Sequence, residues 1–174
     1  PNEVAKANKD ETLKSLGIPE INDKATLDSI FEKVKSGNIE FYYDKKYLNK
    51  EYKNHIRAQL APPISFKSAE ELKSGMEEQC KALPSELSSM FGEKIVVNHC
   101  RAGAVNNRAV LRHVYTVPSK NLIIINDQIP VNSKYSIVLV GGSGNGQEGM
   151  NRIQAAQIEL IKSVTAFLSK QVDL

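Results

Sequence analysis

The residues 144–149, Gly144-Asn145-Gly146-Gln147-Glu148-Gly149, match G-x-G-x-x-G. They follow the apolar run 136–140 and open a helical pattern. In a βαβ unit such glycines let a pyrophosphate approach a helix N-terminus. Two parts of that context are missing. The chain ends about 25 residues later, leaving no room for a second parallel strand, and no strand-borne acid follows about 20 residues on to hold a ribose. No Lys-Ser/Thr pair follows the glycines either, so they do not form a P-loop. A Gly-rich connection is the plain reading, and an anion loop on Gly144, Gly146 and Gly149 is its alternative.

Cys100 stands beside His99, with His113 and His55 elsewhere in the chain. A cysteine with a histidine could form a nucleophile–base pair, and His with Cys could ligate zinc. Adjacent residues of a strand point to opposite faces, so His99 and Cys100 cannot form the pair themselves. A dyad needs His113 or His55 brought close. No C-x-x-C doublet is present, so no metal is expected. Cys80 and Cys100 are the only cysteines. They allow one disulfide or two free thiols, and the even count favours a disulfide in an oxidising compartment.

A third group interleaves Tyr42, Tyr43, Tyr47 and Tyr52 with Lys45, Lys46, Lys50 and Lys53. Stacking rings among cations can bind single-stranded nucleic acid. Asp44 and Glu51 interrupt the series and the net charge is only +3, so a strand followed by a solvated connection is the plain reading, with a protein-binding surface on Tyr42, Tyr43, Tyr47, Tyr52, Lys45 and Lys46 as its alternative. Arg101, Arg108 and Arg112 could present a basic patch to an acidic partner. No Ser-His-Asp order, paired-carboxylate motif or H-E-x-x-H occurs.

The elements that position these residues follow from periodicity. Residues 1–25 read as a polar lead and 26–174 as a single domain. Leu27, Ile30, Phe31 and Val34 predict a helix over 26–36. Ile39, Phe41 and Tyr43 alternate with polar neighbours as a short strand. Residues 44–59 are ambiguous, and Pro62-Pro63 ends any regular element. Ser68 and Glu71 form a capping box, with Leu72, Met76, Cys80 and Leu83 on one stripe behind it. Pro84 reads as the first turn of a separate short helix ending at Gly92. Strands are expected over 95–100, 108–117, 122–125 and 135–140, with 102–107 a turn. Connections this short make them antiparallel, a four-stranded meander. Ile153, Ala156, Leu160, Ile161, Val164, Phe167 and Leu168 trace one face of a final helix over about 149–170. The fold class is α+β, an antiparallel meander packed against N-terminal helices and a long C-terminal helix.

At 174 residues, 41% hydrophobic and 25% charged, the composition is that of a globular domain. It excludes a disulfide-dense mini-protein and a disordered acidic chain. No apolar run approaches the roughly 20 residues of a membrane span. The first residue is Pro1 rather than Met, which fits removal of a signal peptide, a longer N-terminus or a cloned boundary. No Asn-x-Ser/Thr sequon occurs.

The helix over 68–83, the strand over 94–100, Asn107-Arg108-Ala109 leading into 111–117, and Val114-Tyr115-Thr116-Val117-Pro118 with the runs 122–125 and 135–140 together resemble the PsbP/DcrB/Mog-like α+β family. The resemblance covers about 100 of the 174 residues. It implies an α/β/α sandwich. It also implies a protein that is mostly non-enzymatic, since members include thylakoid-lumen photosystem accessory proteins, bacterial periplasmic proteins or lipoproteins, a nuclear import factor that binds a small GTPase, and toxin-neutralising proteins. No shared catalytic residues carry over. The expectation is a non-enzymatic exported bacterial accessory protein, periplasmic or secreted, with no cofactor, acting on another protein and not on nucleic acid. A small thiol hydrolase using Cys100 with a His, and an anion or nucleotide module at the 144–149 loop, are the alternatives.

Overall fold

The computed structural model describes residues 39–64, 66–131 and 136–169. The polar lead at 1–25 and the helix expected over 26–36 lie outside the described residues. Six strands form one antiparallel sheet: β1 (Ile39–Tyr43), β2 (His55–Ala61), β3 (Val96–Val105), β4 (Arg108–Val117), β5 (Leu122–Pro130) and β6 (Ser136–Ser143). Among the described residues two α-helices accompany them, α1 (Ala69–Phe91) between β2 and β3, and α2 (Gly146–Ser169) after β6. The spatial order is β1-β2-β6-β5-β4-β3. The chain makes the β1–β2 hairpin, crosses to the far edge through α1, and returns as the expected meander until β6 lies between β5 and β2.

The pleat sends adjacent residues to opposite faces, and each face has its own core. Val114 of β4, Ile125 of β5 and Leu139 of β6 pack with Ile153, Ala156, Leu160, Ile161, Val164 and Leu168 of α2. Tyr115 and Ile124, their neighbours along the chain, pack with Leu83 and Leu87 of α1. The two helices therefore lie on opposite faces. Burying each large side chain of the α2 stripe contributes roughly 1.5–3 kcal/mol, more than intrinsic propensity does. The α1 face is thinner, with only Met76, Leu83 and Leu87 of that helix buried.

Several expectations need correcting. Pro84 does not open a new helix, because α1 runs unbroken through it. The missing proline N–H removes one intrahelical bond, and the helix continues with the exposed ring on its solvent side. Its start is as expected: Ser68 accepts from the Glu71 N–H at 3.1 Å, while Glu71 Oε2 accepts from the Lys67 N–H at 2.7 Å. The turn expected over 102–107 shrinks to Asn106-Asn107, both at positive φ (50° and 62°). Such a pair makes a tight two-residue hairpin connection, so β3 runs to Val105. The ambiguous stretch contains all of β2. The last helix begins at Gly146 rather than 149.

Candidate functional site

The Gly-rich loop folds back on the Tyr/Lys segment. Gly144 N–H donates to the Tyr52 C=O at 3.0 Å. A Cβ on Gly144 would stand 2.4 Å from Tyr52 Cβ, and one on Gly149 would stand 2.3 Å from Ser143 Oγ. Close protein packing thus accounts for two of the three glycines. Behind them lies a buried polar network. Arg152 grips Asp44 through Nε and Nη2 at 2.6 and 2.8 Å. Asn54 donates to Asp44 Oδ2 at 3.1 Å and to the Gly149 C=O at 3.2 Å. Ser143 Oγ and Asn145 Nδ2 both donate to Asn54 Oδ1. Burial by itself would push the Asp44 carboxyl up. The Arg152 hydrogen bonds, the Lys46 N–H and the Asn54 amide outweigh it, and the pKa lies below its usual value.

The aromatic–cationic segment divides. Tyr47 is 7% exposed, with Lys46 Nζ 5.6 Å and Arg152 Cζ 6.0 Å from its ring centre. Tyr52 is half-buried against the loop, Lys45 and Lys46 are exposed, and Lys46 pairs with Glu148. The side chains of Tyr42 and Tyr43 lie outside the described residues.

Cys80 and Cys100 form a disulfide, S–S 2.02 Å, Cα–Cα 5.8 Å. It ties α1 to β3. Cys100 sits directly across from His113 in the β3–β4 register. The structure thus brings together the Cys–His neighbours that the thiol-hydrolase reading needs, but the sulfur is spent in the disulfide and carries no thiolate. Burial lowers the His113 pKa, with Asp127 opposing weakly.

A β-bulge between Val97 and His99 sets what lies on the other face. The extra residue, Asn98, shifts the alternation, so His99 pairs with Val114 and Arg101 with Arg112 on the α2 side, while Cys100 faces α1. Here β3 and β4 extend beyond the cover of α2 and leave a cleft of about 500 Å³. Val105, Val110, Val114, Met150, Ile158 and Ile161 line its apolar part. Its polar part has His99, Arg101, Arg112, Asp127, Gln154 and Lys162.

The electrostatics of the cleft are lopsided. Asp127 is fully buried, and both its oxygens are taken: Oδ1 by Arg112 Nε at 2.7 Å, Oδ2 by Arg112 Nη2 at 2.8 Å and Gln157 Nε2 at 2.9 Å. Lys162 is 3.7 Å from Glu159. Arg101 is exposed and has no ion-pair partner among the described residues. Burial lowers the His99 pKa, and the Arg101 and Arg112 charges lower it further against the pull of Asp127. A cationic rim therefore borders an apolar floor. Among the described residues no group of three His, Cys, Asp or Glu is placed to hold a metal ion.

Of the expected basic patch, Arg101 and Arg112 do meet in this cleft. Arg108 turns away, donating to the Pro130 and Leu168 carbonyls at 3.0 and 3.3 Å. Sequence reasoning missed the cleft because Met150, Gln154, Ile158 and Ile161 reach it from a helix about 50 residues downstream. It also missed Gln157, whose amide reaches the Ile125 and Leu139 carbonyls between strands. No described helix is long and apolar enough to cross a membrane. Comparison with protein-family models and with curated proteins returns no match.

Proposed function

We propose that this chain is a non-enzymatic binding protein of the PsbP/DcrB/Mog-like kind, exported by a bacterium to an oxidising compartment, that works by contact with another protein. Its contact surface is the β3 edge together with the adjoining cleft. The observation that carries this reading is the coincidence of three features at one place. β3 is the last strand of the sheet, its residues Arg101, Gly103 and Ala104 are exposed, and the cleft opens beside them. The disulfide supports the compartment, because such bonds persist where thiols are not kept reduced. Among the described residues lining the cleft, Asp127 is the one carboxylate, and both its oxygens are hydrogen-bonded, which suits recognition better than proton transfer.

Site-directed photocrosslinking tests this. A photoreactive residue replacing Ala104 is expected to give one discrete adduct with another protein in an envelope extract of the source organism. Excess unlabelled protein should compete it away. The same residue replacing Lys45, at the other end of the sheet, should give none. Adducts at position 45 alone would move the interface to the Tyr/Lys segment, and absence of adducts at both positions would overturn the reading.

A further inference from the structure

Among the described residues, no strand pairs with the outer edge of β3, and 96–105 make no backbone hydrogen bond outside the β3–β4 ladder. Natural sheets blunt such edges with prolines, charges, bulges or a covering element. Here the bulge lies at one end, between Val97 and His99, and Arg101 is the one Lys, Arg, Asp or Glu among the ten residues. Residues 100–105 are regular and contain no proline. Three of them, Ala102, Gly103 and Ala104, carry almost no side chain, so another backbone can approach without a clash. Alternate residues of an edge strand point their N–H and C=O groups outward, and an added strand satisfies them.

We propose that this edge takes an extended segment of the partner protein as a seventh strand, with acidic side chains on the α2 face and apolar, β-branched ones on the α1 face. The identification rests on the binding reading above and gives it a partner chemistry. On the α2 face the added strand lies alongside His99, Arg101 and the cleft, where Arg101 has no ion-pair partner among the described residues. Cross-strand opposite charges stabilise a pair, and like charges oppose it. On the α1 face the low side chains Ala102 and Ala104 leave a shelf that a valine or isoleucine covers. A second copy of this chain fits less well, because a two-fold axis near the centre of β3 brings two Arg101 side chains together.

The probe is a fluorescein-labelled hexapeptide of three Glu-Val repeats, read by anisotropy against the intact, disulfide-bonded protein. It is expected to bind, with affinity falling as salt rises. The Lys-Val counterpart is expected to bind at least about tenfold more weakly. Arg101→Glu is expected to reverse that preference, and methylating alternate peptide nitrogens should cost about tenfold by removing edge hydrogen bonds. Equal binding of the acidic and basic peptides, or indifference to N-methylation, overturns strand addition. So does failure of the acidic peptide to bind, or concentration-dependent self-association of the protein through β3. Crosslinking at position 104 in the face of any of these results would leave the contact surface standing and remove only its strand-adding mode.

Discussion

Arg152→Leu is expected to destabilise the protein by about 3–5 kcal/mol at pH 7, the usual cost of leaving one member of a buried ion pair alone. The Asp44 side chain is 1% exposed and Arg152 supplies two of its hydrogen bonds, at 2.6 and 2.8 Å. Without the guanidinium, a carboxylate remains in the interior with only the Lys46 N–H and the Asn54 amide. The pH dependence has a definite sign. The native Asp44 pKa is depressed, so its contribution is present above the unfolded value of about 3.9 and is lost as pH falls through the folded value. In the variant, burial dominates and favours the neutral acid. The gap between variant and native stability should therefore be widest near neutrality and narrow below about pH 4. Urea unfolding at pH 7 and pH 3.5 reads this directly. If Arg152→Leu alone does not fold, the double variant with Asp44→Asn removes the stranded charge and should recover part of the loss.

Removing the disulfide has the second large effect. Cys80 and Cys100 are 20 residues apart, and closing such a loop contributes about 3 kcal/mol through the unfolded chain. For a chain of this size that corresponds to a Tm lower by roughly 6–12 °C on Cys80→Ser/Cys100→Ser substitution or full reduction. The effect should be felt most in α1. That helix buries only three side chains, and Pro84, one turn after Cys80, removes one of its own hydrogen bonds. The disulfide adds a covalent tie to β3 beside the packing of Leu83 and Leu87. Calorimetry with and without reductant measures the shift. Hydrogen exchange should show α1 losing protection before β5 and β6, whereas a uniform loss would contradict this division.

Local signals carried much of the fold. Ser68 with Glu71 marked the start of α1, and the spacing from Ile153 to Leu168 marked the buried face of α2. Short connections made the meander antiparallel, and the two cysteines proved to be partners. What escaped depended on contacts distant in sequence. His55, Arg57 and Gln59 alternate with Ile56, Ala58 and Leu60, which is a strand pattern, but β2 earns its place only when β6 pairs with it some 80 residues later. Gly103 looked like a turn residue because glycine usually punctuates; in an edge strand it is tolerated. Pro84 looked like a break because a proline N–H cannot continue the ladder, yet packing on both sides of it holds one helix. The bulge at Asn98, which decides that His99 and Arg101 border the cleft, has no sequence signature of its own. Asp44 and Arg152 are 108 positions apart, and nothing local in the sequence pairs them.

Amide hydrogen exchange along β3 in the free protein tests most directly whether its edge is open for a partner. Within residues 100–105, fast and slow amides should alternate, the slow ones donating to β4 and the fast ones pointing outward, while β5 and β6, paired on both sides, are protected throughout. Even protection from 100 to 105 would mean that the edge is already covered, and would contradict the assignment of β3 as the contact surface.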